Sequence, residues 1–288
     1  MDFEPVSLDL QDEYRRRFEA TPARASDYSF INLWGWCEVY GLTWRFDDEL
    51  VWIRQEHPEP ALWAPVGPWD KVDWSAYPLP DVAPKLIRVP EELCETWLRA
   101  RDGVTIKDAR DHWDYVYRVD DLRNLPGKRY KKKRDLLEQF KADYDWDYRP
   151  LSPECVEEVL DMQLEWCRWR DRESDTTLQG ENEAIRRTLT DWDRLKGITG
   201  GALRVDNRIV AYTVADALAG DPLVVHFEKG HTRIEGVYQA INQMFLEDQG
   251  KDYAYVNREQ DLGDPGLRRA KLSYDPSHFV KKFEVIPE

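Results

Sequence analysis

From Ser152 onward, the spacing of apolar positions divides the chain into well-punctuated elements. Ser152-Pro153-Glu154 supplies a helix cap, a first-turn proline and an acidic first turn. Val156, Val159, Leu160, Leu164 and Cys167 then recur at helical spacing to about Trp169. A second helix from about Glu181 carries Ile185, Leu189 and Trp192 on one face and stops at Gly197. The period then changes to two. Ala202 to Val205, a turn at Asp206-Asn207 and Arg208 to Ala217 predict a hairpin, and Gly220-Asp221 turns the chain into a third strand, Leu223 to Lys229. A helix over Gly236 to Glu247, a strand over Tyr253 to Asn257, a helix over Pro265 to Ser273 and a last strand over Phe279 to Val285 follow. With an opening strand at Asp145 to Arg149, the order is β-α-α-β-β-β-α-β-α-β.

The first half reads in the same order. Helices at Leu10 to Ala20 and Phe30 to Tyr40 precede strands at Leu42 to Phe46, Leu50 to Arg54 and Leu62 to Val66. A weaker helix near Trp74, a strand at Leu86 to Val89, a helix at Glu91 to Arg101 and strands at Val104 to Asp108 and Asp114 to Val119 complete it. Element types repeat although residues do not, which predicts an α+β duplication: one domain over 1–125, a second over 126–288, and a joint at Asp120 to Gly127. One large α+β domain is the alternative.

Composition narrows the function classes. The 288 residues include 41 Lys and Arg against 56 Asp and Glu, a net charge of −15, which excludes a general nucleic-acid coat because that needs a positive field. Thirteen Trp, 14 Tyr and 9 Phe supply ring-lined cores or clefts. Met1-Asp2-Phe3-Glu4-Pro5 is not a signal sequence and no apolar run is long enough to span a bilayer, so a cytoplasmic location is expected, with at most transient membrane contact. Cys37, Cys94, Cys155 and Cys167 form no CxxC pair and indicate neither a zinc site nor a disulfide framework. Nucleophilic-serine elbow, HExxH, Walker and dinucleotide signatures are all missing.

Three groups of residues carry candidate chemistry. His226 and Glu228 stand two apart on a strand, on one face by alternation, where together they can accept a proton. Asn257, Arg258, Glu259 and Asp261 crowd the end of the next strand, a density of ionisable groups that forms a salt-linked network or binds a zwitterion. Lys128, Arg129, Lys131, Lys132, Lys133 and Arg134 make the strong positive patch of an acidic chain, suited to tRNA, a phospholipid head group or a nucleotide, or else to a solvated basic helix.

The element order resembles the Gcn5-related acyltransferase fold, and its tandem use resembles the peptidoglycan aminoacyltransferases of the Fem type. The runs His226-Phe227-Glu228-Lys229-Gly230, Asn257-Arg258-Glu259-Gln260-Asp261-Leu262-Gly263 and Gly266-Leu267-Arg268-Arg269-Ala270-Lys271-Leu272-Ser273-Tyr274 are similar to a bacterial family related to the C-terminal domain of phosphatidylglycerol lysyltransferase. So are Tyr28-Ser29-Phe30-Ile31-Asn32-Leu33-Trp34 and Gly127-Lys128-Arg129-Tyr130, which extends the resemblance over nearly the whole chain. It implies tandem acyltransferase-like domains, each a mixed, mostly antiparallel sheet flanked by helices, and transfer of an acyl or aminoacyl group to an amine or hydroxyl without metal. The donor it implies is acyl-CoA or aminoacyl-tRNA.

The same resemblance implies roles. Arg258 or Arg269 would hold a carboxylate or phosphate, Glu259 or Asp261 an ammonium, and Asn257 would join them. Tyr274 would protonate the leaving group with Lys271 assisting. In the loop Arg233-Ile234-Glu235-Gly236-Val237-Tyr238, Arg233 and Gly236 fit the family's pyrophosphate pattern, whereas the Tyr238 ring crowds the site of its second glycine. Pro65, Gly67 and Pro68 interrupt the corresponding loop of the first half, which is therefore expected to be inert. A non-catalytic amino-acid or nucleotide-binding module on the same fold is the competing function.

Overall fold

The period-two stretches pair into two sheets of one plan. The computed structural model describes residues 2–80, 82–101, 103–170, 176–216 and 222–287. These contain strands β1 (Glu4–Pro5), β2 (Thr43–Asp47), β3 (Leu50–Gln55), β4 (Ala61–Trp63), β5 (Leu86–Pro90), β6 (Val104–Asp108), β7 (Asp114–Arg118), β8 (Trp146–Pro150), β9 (Ile198–Val205), β10 (Arg208–Asp216), β11 (Leu223–Gly230), β12 (Tyr255–Asn257), β13 (His278–Val280) and β14 (Lys282–Pro287). The helices are α1 (Gln11–Glu19), α2 (Phe30–Tyr40), α3 (Glu91–Ala100), α4 (Val119–Asn124), α5 (Lys131–Asp143), α6 (Val156–Arg170), α7 (Thr176–Thr190), α8 (Val237–Gln249) and α9 (Pro265–Leu272).

The first sheet runs β1-β2-β3-β4-β5-β14-β6 and the second β13-β7-β12-β11-β10-β9-β8. Each sheet holds a parallel pair among antiparallel neighbours, β4 with β5 and β11 with β12. Read from β8, the second sheet repeats the order of the first, with one exchange: β14, from the end of the chain, lies in the first sheet and β7, from the first half, in the second. The compact units are accordingly not the two halves of the chain. One comprises Met1–Tyr115, Glu259–Arg269 and Phe279–Glu288, the other Val116–Arg258 and Ala270–His278. The expected boundary at Leu125 falls inside the second unit, where Val119–Asn124 is helical and Leu125 ends the helix in the left-handed region.

Most predicted elements occur, and the departures have physical causes. The single strand expected over Phe279 to Val285 is two strands in different sheets, because the Lys282 ammonium is fully buried and requires the carboxylates of Asp27 and Asp114. No helix forms near Trp74. Prolines 65, 68, 78, 80 and 84 remove backbone donors from that segment, whose described residues hold a 3-10 turn at Trp69–Lys71 and no α-helix. Helix α7 begins five residues before Glu181. Ala217 and the Gly220-Asp221 turn lie outside the described residues.

Rings fill both interiors. Trp44, Trp52, Trp63, Trp97, Tyr14 and Phe30 are fully buried in the first unit, and Tyr117, Tyr130, Phe140 and Tyr212 in the second. Serine 29 caps α2 by accepting from the Asn32 amide at 3.1 Å, and Gly41, at φ 60°, ends it. Gly236 is required for two reasons: its φ is 78°, and a Cβ there would stand 2.3 Å from the Leu136 carbonyl oxygen of α5. Gly127 has a similar φ of 71° but nothing within 4 Å of the same position. Gly127→Ala should therefore cost about 1 kcal/mol of backbone strain, and Gly236→Ala at least about 2 kcal/mol more. Urea unfolding of the two variants measures the difference; equal costs would show that the approach to α5 does not constrain the fold.

Candidate functional site

In the second unit the sheet opens beside β11. The parallel register of β11 and β12 stops at Val224 opposite Asn257, where β12 ends, while β11 continues to Gly230. Arg258, the next residue, leaves the sheet and its Nη2 donates to Glu228 Oε1 at 2.7 Å. Asn242 of α8 donates to the other Glu228 oxygen at 3.2 Å. The Arg258 guanidinium also lies over the rings of Tyr274 and Tyr117, at 5.2 and 5.8 Å from their centroids. Burial works against its charge, but Glu228 and the two tyrosines hold its pKa above the usual value.

Residues at the end of α9 and just after it complete the group. Lys271 Nζ donates to the Arg258 carbonyl, and the Lys271 carbonyl accepts from the Tyr117 hydroxyl at 2.9 Å. Tyr274 is buried, and burial pushes its pKa up to about 12, so the phenol stays protonated at neutral pH. Its carbonyl accepts from the Tyr130 hydroxyl at 2.8 Å, which ties this segment to the start of α5.

The basic run is not a uniformly solvated face. Lys133 Nζ stands 4.3 Å from the centroid of the Tyr274 ring and donates to the Ser273 carbonyl at 2.7 Å. Burial, then the Arg258 and Lys132 charges, hold its pKa below that of an ordinary lysine. Arg129 pairs with Asp275, Lys131 with Asp135 at 2.6 Å, and Arg134 donates to the Leu125 and Gly127 carbonyls. Lys128 and Lys132 are exposed.

His226 is the extra residue of a β-bulge, since Phe227 faces Val214 and Val225 faces Ala215. The bulge breaks the alternation that would set His226 and Glu228 on one face. His226 is buried with its ring 6.4 Å from that of Phe227. Asn257 is fully buried within β12. In the loop before α8, Arg233 is exposed, Gly236 meets the packing demand of α5, and the Tyr238 ring lies where a Cβ on Gly230 would touch it at 3.4 Å.

The first unit holds Glu259, Asp261 and Arg269. Asp261 is fully buried and accepts from the Tyr115 hydroxyl at 2.5 Å, from the Gly263 amide at 2.9 Å and from Arg268 at 2.7 and 2.9 Å. Burial opposes its charge, but these donors hold its pKa at about 2. Arg268, joined by Arg110 at 3.3 Å, pairs with Asp261, whereas the neighbouring Arg269 is exposed. Glu259, at φ 57°, accepts from Asn32 Nδ2 at 3.3 Å.

A second charged group in the first unit carries no sequence signal. Lys282 donates to Asp27 and, at 2.6 Å, to Asp114; Arg88 donates to Asp27; the Ser26 amide and hydroxyl donate to Asp114 at 2.8 and 2.9 Å. Asp27, Asp114 and Lys282 are fully buried. Burial would raise the Asp27 pKa, but Lys282 and Arg88 hold it well below the carboxylate range. Arg88 also stacks over Trp63 at 4.3 Å. A period-two reading through Lys281 sets Lys282 beside Glu284 on a polar face, so pattern alone hides this cluster.

The model of the family described as phosphatidylglycerol lysyltransferase, C-terminal, matches residues 18–286. The chain belongs to this family. A conserved protein of unknown function from Bacteroides thetaiotaomicron is 28% identical, covers 100% of both chains and superposes with a TM-score of 0.89. L-PGS from Bacillus licheniformis is 13% identical with a TM-score of 0.66 over 99% of this chain and 92% of its own, and FemX is 8% identical with a TM-score of 0.57 over 99% and 97%. These likenesses establish the tandem acyltransferase-like fold. An uncharacterized protein of Mycoplasmoides gallisepticum is 23% identical over 191 residues, and the match spans 66% of this chain and 60% of that relative. Among the described residues, no helix of this lysyltransferase-family chain is long and apolar enough to cross a membrane.

Within the family fold, the structure brings Glu228, Arg258, Lys271, Tyr274 and Lys133 together in the second unit, and sets Asp261 in a saturated network in the first. That network carries a pH signature. The folded pKa of Asp261 is depressed, so its contribution is complete above the unfolded carboxylate pKa and is lost as pH falls toward about 2. Asp261→Asn should be less stable than the parent near neutral pH, and the gap should narrow by about 2 kcal/mol between about pH 5 and about pH 2. Urea unfolding across that range checks it; a constant gap would assign the acid sensitivity elsewhere.

Proposed function

We propose that the chain is an aminoacyltransferase that moves an aminoacyl group directly from an ester donor to an amine or hydroxyl acceptor, with the Arg258 cluster as its active site. The observation that carries this reading is that Arg258 bonds Glu228 and lies over Tyr274, so groups from β11, the end of β12 and the segment after α9 share one half-buried guanidinium. Membership of a lysyltransferase family supports the reaction class. Both Glu228 oxygens are engaged, which suits Glu228 to positioning Arg258 better than to accepting a proton. Arg258 and Lys133 offer cations to the phosphate or developing oxyanion of the donor. The acceptor lone pair forms the new bond to the acyl carbon, the old C–O bond breaks, and the departing alkoxide takes the Tyr274 proton. The proton released by the acceptor passes to solvent, and the tyrosinate is reprotonated from solvent.

The ester donor is favoured over acyl-CoA because packing against α5 and the left-handed backbone already account for Gly236, and Tyr238 takes the place of the second glycine in the pyrophosphate pattern of the acyltransferase fold. A tRNA donor would use the exposed Lys128 and Lys132, with Lys133 joining that run to the cluster. The engagement of Glu228 also favours a second reading, a module that binds an anion without turnover.

Tyr274→Phe should lower single-turnover transfer from aminoacyl-tRNA by about 100-fold or more with donor affinity little changed. Unchanged transfer would remove Tyr274 as the acid, and donor binding with no transfer to any acceptor by the parent protein would establish the binding module. Lys128→Glu with Lys132→Glu should weaken tRNA binding and flatten its salt dependence, while the melting temperature stays near that of the parent. Filter binding at several salt concentrations reads both; an unchanged salt slope would take tRNA away from this face.

A further inference from the structure

We infer that Lys133 is a positioning residue for the transfer reaction, its ammonium stabilising the phenolate left on Tyr274 when the departing alkoxide takes the phenol proton. Lys133 stands in the first turn of α5, and its Nζ lies 4.3 Å from the centroid of the Tyr274 ring. Two hydrogen bonds hold it there without help from the phenol. Nζ donates to the Ser273 carbonyl at 2.7 Å and to Ser273 Oγ at 3.0 Å. The hydroxyl hydrogen of Ser273 is spent on the Ala270 carbonyl at 2.6 Å, so its oxygen accepts from Lys133. Tyr130 fastens the two segments a second time: its carbonyl accepts from the Lys133 amide at 2.9 Å, and its hydroxyl donates to the Tyr274 carbonyl at 2.8 Å. The ammonium and the acid therefore keep one geometry.

The charge balance around the phenol singles out this cation. Arg258 lies over the same ring at 5.2 Å, but Glu228 pairs with it at 2.7 Å and offsets its charge. Lys271 turns its ammonium to the Arg258 carbonyl, and Tyr130 and Gln239 of α8, which also face Tyr274, are neutral. Among the described residues no carboxylate pairs with Lys133, whose hydrogen bonds go to a neutral carbonyl and a neutral hydroxyl. The burial that pushes the Tyr274 pKa up to about 12 acts against a phenolate. A cation over the ring acts for it, because phenolate charge spreads into the π system that the cation already faces. The proton passes to the alkoxide oxygen and returns to the phenolate from solvent, so Lys133 neither gains nor loses one. The inference rests on the transferase reading for the step that makes the phenolate, and the coupling itself is measured without turnover.

The experiment replaces Tyr274 by trifluorotyrosine in the full chain and follows its ionisation by fluorine NMR, which reads this one phenol. Burial, Arg258 and Lys132 make Lys133 titrate below an ordinary lysine, so a phenol ionising at about 12 would meet it neutral. Fluorination lets the phenol ionise while Lys133 is still charged. Lys133→Gln keeps a donor for Ser273 but loses the charge, and it should raise the midpoint by about one pH unit or more, a tenfold loss of acidity. Lys133→Met, a second neutral variant, should do the same, whereas Lys133→Arg keeps the charge and should stay near the parent midpoint. With native Tyr274, Lys133→Gln should lower single-turnover transfer from aminoacyl-tRNA by about tenfold or more, and Lys133→Arg should restore most of it. A midpoint that both neutral variants leave in place, or that Lys133→Arg moves as far as they do, would overturn the inference and leave Lys133 a fastening between α5 and the end of α9. A midpoint that moves in a chain whose parent transfers to no acceptor would keep the coupling and overturn the transferase reading, so the two failures are read apart.

Discussion

An ammonium with no access to water must be met by carboxylates, and Lys282 is such a group. Its two partners are distant in sequence: Asp27 precedes α2 and Asp114 opens β7. Removing an ion from water costs several kcal/mol, and a buried pair broken on one side loses about 3–5 kcal/mol. The last strand is therefore held in the first sheet by more than its ladder bonds. Arg88 takes the other Asp27 oxygen and stacks on Trp63, so the cluster balances two positive against two negative charges within an aromatic interior.

The second unit meets the same constraint differently. Arg258 has one carboxylate, Glu228, and two aromatic faces, Tyr117 and Tyr274. Rings attract a guanidinium without competing for its hydrogen-bond donors. This is the physical difference between the two charged groups. The first saturates its ions with oppositely charged side chains, and the second keeps a cation supported mainly by quadrupoles and a single carboxylate.

The sheet geometry makes the second arrangement possible. The bulge at His226 and the end of β12 at Asn257 let β11 run on beyond its parallel partner, and Arg258 reaches across to Glu228. Glu228, Arg258 and Tyr274 meet although they lie in three segments, whereas Glu259, the residue after Arg258, belongs to the other unit. Adjacency in sequence and adjacency in chemistry separate at this peptide bond.

Local pattern determined where most elements lie, because burial of one helix face or one strand face leaves a period that needs no distant information. Phe30 to Tyr40 shows this, with its serine cap and its glycine stop. The family motifs also marked Arg258, Lys271 and Tyr274 as candidates. What the chain could not show by itself was the pairing of ions across long separations. The reciprocal placement of β7 and β14, the burial of Lys282, the choice of Arg268 over Arg269 for Asp261 and the seat of Lys133 on Tyr274 all depend on which charge reaches which partner in three dimensions. Hydrophobic periodicity is a property of neighbours along the chain, whereas neutralising a buried charge is a property of neighbours in space, and only the tertiary structure decides the latter.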